Sequence, residues 1–207
     1  MNPFELLSPD VQRILLKLEE QDRTERAMNL DSSQRLRQIP RETGEFLYQF
    51  ISIYAELYDN FTGVEIGTSG GYSTLWQAYA LSNVGHGLLI SLDNDPRKYQ
   101  LASKNIQSTT VSKYVNLIQC DAKEYLRELS DQKIHYVFLD AEKKDYQDYY
   151  QILANCDCIS DNMVLIADNV ISHAEQLEDF LKTIKKDPKV LSIILTIGQG
   201  LSFIRWR

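Results

Sequence analysis

Phe61-Thr62-Gly63-Val64-Glu65-Ile66 runs directly into Gly67-Thr68-Ser69-Gly70-Gly71, and an apolar-rich stretch continues to Leu81. The first block reads as a buried strand, and the glycines permit a tight turn into a helix over Gly71 to Leu81. A strand, a glycine loop and a helix in that order open a βαβ unit, and such sheets keep their ligands beyond the carboxyl ends of the strands.

The same rhythm extends downstream. Strands are predicted over Gly87 to Leu92, Val115 to Ile118, Ile134 to Leu139 and Met163 to Ala167, with helices over Pro96 to Ile106, Ala122 to Leu129, Tyr146 to Ala154 and Glu175 to Lys186. Val190 to Thr196 and Leu201 to Trp206 are separated only by Ile197 to Gly200, too short for a crossover, so the chain ends in an antiparallel hairpin. The fold class is α/β: a doubly wound, mostly parallel sheet of about seven strands, covered on both faces. Upstream, Val11, Ile14, Leu15 and Leu18 form one apolar stripe on a charged surface helix, Ser32 to Pro40 is a connector, and Arg41 to Tyr58 is a further helix with Pro40 at its start. Residues 1–38 are read as an arm and connector, and 39–207 as the main domain.

The glycine loop does not complete the dinucleotide fingerprint GxGxxG, because Ser69 stands at its second glycine. Glu65 would face a pyrophosphate seated on the helix start and repel it, whereas a cationic ligand would be attracted. Asp93 ends the next strand, where an acid accepts from ribose hydroxyls; otherwise it is a turn residue ahead of Pro96. Ribose without phosphate, plus an ammonium and a sulfonium, describes S-adenosylmethionine. Asp121 and Ala122 follow the third strand at the same edge, where they either touch the adenine or, through Asp121, only cap the next helix.

Two further strands end in acids, Asp140 and Asp168, and Asn169 follows the second. Two carboxylates and an amide oxygen suit a hard cation such as Mg²⁺, Ca²⁺ or Mn²⁺. Singly, each acid would read as a helix cap. Lys143, three residues beyond Asp140, is a candidate base or a solvated helix-start lysine. Tyr146, Tyr149 and Tyr150 either line an aromatic pocket or pack on the sheet.

The 207 residues allow one sizeable core. A net charge of -7 opposes an extended grip on nucleic acid, which needs a basic face. Met1 to Asp10 holds no cationic stretch ahead of a long apolar block, and no run reaches a membrane-spanning length, so a soluble cytoplasmic protein is expected. Cys120, Cys156 and Cys158 read as reduced, partly buried thiols, and the scattered His86, His135 and His173 as structural or solvated.

Four blocks together resemble the class I, metal-dependent O-methyltransferases of the catechol and caffeoyl-coenzyme A type: Val64 to Thr74, Phe138 to Lys143 with Tyr146, Ala167 to Val170, and Gly198 to Leu201. The resemblance runs from Ile39 to the C-terminus. It implies S-adenosylmethionine held by Glu65, Gly67, Ser73 and Asp93, with Asp140 also at the cofactor. It implies a divalent cation, usually Mg²⁺, on Asp140, Asp168 and Asn169, and Lys143 rather than Lys144 as the catalytic lysine. It further implies a homodimer and a small hydroxylated acceptor. The pattern departs at Ser160-Asp161-Asn162, which replaces a glycine pair, yet Asn and Asp tolerate left-handed backbone and should still let the strand enter.

In the expected reaction the cation favours ionisation of one of two neighbouring acceptor hydroxyls, Lys143 takes the proton, and alignment of oxygen and methyl supplies most of the rate. The rival acceptor is a hydroxyuridine in transfer RNA, which would require Arg35, Arg37, Arg41 and Lys185-Lys186 to gather at the crevice mouth. A nicotinamide-dependent oxidoreductase is disfavoured by Glu65 and the incomplete fingerprint. A non-catalytic cofactor-binding protein is disfavoured by the full metal and base set.

Overall fold

The structure is a computed structural model that describes residues 3–31, 34–130 and 132–207. Seven strands form one sheet in the order β3-β2-β1-β4-β5-β7-β6. They are β1 Thr62–Ile66, β2 Leu88–Asp93, β3 Val115–Gln119, β4 Ile134–Leu139, β5 Ile159–Ala167, β6 Val190–Leu195 and β7 Leu201–Trp206. The first five pair in parallel, and β7 is antiparallel to both β5 and β6. Doubly wound architecture and a closing hairpin are therefore as the sequence predicts.

The helices are α1 Pro3–Leu6, α2 Pro9–Ala27, α3 Arg41–Tyr54, α4 Tyr72–Val84, α5 Pro96–Gln107, α6 Ala122–Glu128, α7 Tyr146–Ala154 and α8 Glu178–Lys186. Alternation along β4 shows how the layers divide: Tyr136 and Phe138 enter one core cluster, Val137 and Leu139 the other. The first cluster packs α2 to α5 on one face, and the second packs α6 to α8 on the opposite face. Val11, Ile14, Leu15 and Leu18 of α2 are buried in the first cluster together with Trp76 of α4, so the predicted surface helix is a structural wall of the domain. Ser32 and Ser33 of the predicted connector lie outside the described residues.

Several element boundaries differ from the sequence reading. The helix predicted to Tyr58 gives way after Tyr54 to a 3₁₀ turn over Ala55–Leu57. Strand β5 begins at Ile159 rather than Met163: β4 and β5 shift register between the pairs Ile134–Ile159 and Tyr136–Val164, a bulge in which Asn162 adopts a φ of 62°. Asn at this departure from the family pattern thus supplies the left-handed residue. Helix α8 starts three residues late because the chain before it is tied elsewhere: Ile171 and Ser172 donate to the Gln199 carbonyl at 3.2 and 3.1 Å.

The expectation of three reduced thiols is corrected. Cys156 and Cys158 form a disulfide with Cα atoms 5.1 Å apart, and Cys120 is free. The turn after α7 folds tightly enough for the Cys158 N–H to reach Cys156 Sγ at 3.0 Å, which brings the two side chains together.

Candidate active site

The register aligns the carboxyl ends of five strands. Ile66 lies opposite both Leu92 and Leu139, Leu139 opposite Ala167, and Asp93 opposite Gln119. The next residues, Gly67, Asp140 and Asp168, therefore emerge side by side, held by further ladder bonds: Gly67 N–H to the Leu92 carbonyl at 2.9 Å, Asp140 N–H to Ile66 at 3.0 Å and Asp168 N–H to Leu139 at 3.0 Å. Strand order reverses at β1 and β4, the switch point where open α/β sheets form their crevice. A cavity of about 770 Å³ opens there.

Gly67 has no alternative residue: with φ of 104°, a Cβ would lie 2.1 Å from the Asp140 carbonyl oxygen. Glu65 corrects the sequence reading. Its carboxylate does not face the cavity but is fully buried beneath the loop, at 0% exposure. Oε1 accepts from Ser73 and Gln77 at 2.5 and 2.6 Å, and Oε2 from Thr74 and Ser91 at 2.5 Å each. Burial raises its pKa to about 7, against the pull of these four donors. Glu65 therefore organises the loop and the first turn of α4, while Gly67 and Ser73 line the cavity.

Asp93 also lines the cavity, anchored by the N–H groups of Ser69 at 2.7 Å and Asp95 at 2.9 Å. Asp121 takes the capping role and also reaches the cavity edge. Its Oδ1 caps α6 through the Lys123 and Glu124 N–H groups at 2.7 and 3.3 Å, and the residue borders the cavity beside Ala122. Gly67 and the α4 start lie between Asp93 and Asp140, leaving an open backbone approach flanked by two acids, which fits a ligand with a ribose and an amino-acid end.

Asp168 is wholly buried, and neither carboxylate oxygen has a hydrogen-bond partner. Burial, reinforced by the Asp140 charge, raises its pKa to about 7; the Asn169 backbone and Lys143 pull the other way. A buried carboxylate left unpaired beside a second one is a costly arrangement that a bound cation would relieve. Asn169 lines the same cavity in a left-handed conformation, φ 66°. Asp140, Asp168 and Asn169 thus fit a hard cation by donor type; among the described residues no group of three His, Cys, Asp or Glu offers another candidate.

Lys143 is only 6% exposed. Its Nζ donates to Asp140 Oδ1, the Ala141 carbonyl and Tyr146 Oη at 3.0, 3.0 and 2.9 Å. Lys144 is exposed and makes no such contacts. Tyr146 is a buried strut that donates to the Leu139 and Asp168 carbonyls, and Tyr150 is held by Asp187, so of the three tyrosines only Tyr149 borders the cavity.

His173 lines the cavity, a placement the sequence reading missed because no spacing links it to Asp140. Burial and the Lys143 and Arg37 cations hold its imidazole below the usual range. Of the basic residues that an RNA acceptor would recruit, Arg35 and Arg37 border the cavity, but Arg41 is turned to Glu19 at 2.6 Å and Lys185-Lys186 end α8 away from it.

Comparison with known proteins places the fold and the family. A family model described as O-methyltransferase matches residues 17–207. A catechol O-methyltransferase of Niastella koreensis is 31% identical over 134 residues, 63% of this chain and 59% of that protein's length. A flavonoid 3',5'-methyltransferase of Vitis vinifera is 28% identical over 75% of this chain and 74% of its own. The O-methyltransferase of Bacillus cereus, solved with S-adenosylhomocysteine, superposes with a TM-score of 0.73 at 22% identity, covering 92% of this chain and 90% of that one, and shares the fold. The chain belongs to the class I, S-adenosylmethionine-dependent O-methyltransferase family.

Proposed function

We propose that the enzyme methylates one of two neighbouring hydroxyls on a small catechol-like or vicinal-diol acceptor and that it requires a divalent cation, with Mg²⁺ the natural choice for an all-oxygen site. The observation that carries this reading is Asp168, buried with both carboxylate oxygens unpaired beside Asp140 and Lys143. Asp140, Asp168 and Asn169 would hold the cation, which when bound supplies positive charge that favours an ionised acceptor oxygen.

The chain's own residues do the rest. Gly67, Ser73, Asp93 and Asp140 seat the cofactor, with Asp121 and Ala122 at its adenine end and Glu65 fixing Ser73 from below. Lys143 receives the acceptor hydroxyl proton at Nζ. Only the lone pair of a neutral amine can take that proton, and the Tyr146 hydroxyl and Ala141 carbonyl keep Nζ aimed. The acceptor oxygen then bonds to the methyl carbon as the carbon–sulfur bond breaks, and S-adenosylhomocysteine is left. Alignment of the two reactants accounts for most of the acceleration, on the order of 7–11 kcal/mol.

Methyl transfer to catechol, followed by mass spectrometry with Mg²⁺ and with excess EDTA, tests the proposal. Product should vanish in EDTA and return with added Mg²⁺; full turnover in EDTA would remove the cation from the mechanism. An arm at 1–38 that packs onto the catalytic domain at 39–207 through α2, a cytoplasmic site of action and a homodimer belong to the same proposal. Leu191, Ile193 and Ile194, exposed on edge strand β6, supply an apolar surface for the dimer. No described helix is long and apolar enough to cross a membrane.

A further inference from the structure

Leu36 is clamped from two sides. Its N–H donates to Glu25 Oε2 of α2 at 2.8 Å, and its carbonyl accepts from Ser69 Oγ of the glycine loop at 2.5 Å. Its side chain lies against Gly70, where an added Cβ would meet it at 3.3 Å. Both neighbours of this fixed residue are arginines, and the chain reverses at Arg37 through a left-handed φ of 55°. A residue with a side chain holds that conformation only where its surroundings enforce it. As a result Arg35 and Arg37 both line the cavity that contains Asp140, Lys143 and Asp168.

Their charges are handled differently. Arg37 is paired with Glu142 at 2.8 Å, and Arg26, bordering the same cavity, with Asp22 at 2.6 Å. Arg35 has no ion pair among the described residues, and its Nε is buried without an acceptor. A half-buried guanidinium with an unpaired donor is costly in the free protein and is matched by a planar or tetrahedral oxyanion, to which it donates two parallel hydrogen bonds.

We propose that Arg35 binds an anionic group, a carboxylate or a phosphate, carried by the methyl acceptor. The inference rests on the O-methylation reading above and narrows the acceptor from any vicinal-dioxygen compound to an acidic one.

The test compares 3,4-dihydroxybenzoate with its neutral isostere 3,4-dihydroxybenzamide in the wild type, Arg35→Gln and Arg35→Lys, with S-adenosylmethionine and Mg²⁺. The wild type should favour the acid in kcat/KM by on the order of 10- to 100-fold, as expected for a charge-assisted hydrogen-bonded pair. R35Q should bring the acid-to-amide ratio close to one, and R35K should restore part of it. Equal use of both compounds by the wild type, or an unchanged ratio in R35Q, overturns the assignment. Should neither compound be methylated, the proposed acceptor chemistry fails, and calorimetric titration of both into protein loaded with S-adenosylhomocysteine still decides on Arg35: equal affinities refute it. An Arg35-dependent affinity for an RNA hairpin greater than that for dihydroxybenzoate would assign the cation to a polynucleotide and also overturn it.

Discussion

Replacing Asp168 by Asn in metal-free protein should shift stability in the variant's favour as pH rises. Burial, with Asp140 alongside, lifts the Asp168 pKa from 3.8 to about 7. A carboxyl whose native pKa is raised contributes stability that is present below its unfolded pKa and is lost as pH climbs to the native value, because the unfolded chain ionises freely while the folded one resists. Between pH 5 and pH 8 about two pKa units of this loss accumulate, and at about 1.36 kcal/mol per unit the wild type falls by about 3 kcal/mol relative to the Asn variant. The pH-independent cost of burying an amide without partners cancels in that double difference. For a chain of this size, about 2–4 °C per kcal/mol makes the Tm gap between variant and wild type widen by roughly 6–12 °C from pH 5 to pH 8. Differential scanning fluorimetry in EDTA reads it directly. Added Mg²⁺ should raise the wild-type Tm at pH 8 and leave the variant unmoved. A gap that stays constant with pH, or narrows, would show that Asp168 is solvated or already paired and would remove the unpaired oxygens on which the cation site depends.

Lys143→Ala should lower kcat by on the order of 10²–10⁴ while S-adenosylhomocysteine affinity, measured by calorimetry, changes little; parallel losses would make Lys143 a structural residue. Glu65→Gln keeps one acceptor oxygen and turns an amide NH₂ toward one pair of donors, Ser73 with Gln77 or Thr74 with Ser91, and should cost about 2–4 kcal/mol in urea denaturation and weaken cofactor binding at least about tenfold. Gly67→Ala places a methyl 2.1 Å from the Asp140 carbonyl, and the combined clash and backbone strain should cost about 2–5 kcal/mol by the same assay. Alkylation of the denatured protein should label Cys120 alone before reduction and all three cysteines after it, as counted by intact mass. Three labels without reductant would restore the reduced thiols expected from sequence.

Most of the sheet is legible in the chain, because buried parallel strands are short apolar runs, and Gly67, Asp93, Asp140 and Asp168 mark where four of them reach the crevice. The bulge at Asn162 is not, since one left-handed residue inside a strand leaves no periodic trace. Glu65 stands out in the sequence for a reason the structure replaces: its place beside the loop can be read locally, whereas only packing shows that four side chains claim its oxygens from below. Nothing in the spacing of His173 or Arg35 connects them to the strand ends. Three-dimensional folding of the loop after β5 and of the segment between α2 and α3 brings the two residues to the cavity, and Arg35 arrives there without the full basic cluster that an RNA acceptor would need. Local composition likewise makes α2 a surface arm, since its charged half is as conspicuous as the apolar stripe that enters the core.

The anchoring of Leu36 constrains how the enzyme can be re-engineered. One residue joins α2, whose Arg26 borders the cavity, to the glycine loop that the proposal assigns to the cofactor, through Glu25 on one side and Ser69 on the other. Grafting the segment ahead of α3 from a relative to change substrate range would therefore also change how long the nucleoside product stays bound. Libraries that vary Arg35 and Arg37 while keeping Leu36, Glu25 and Ser69 would separate selectivity from product release.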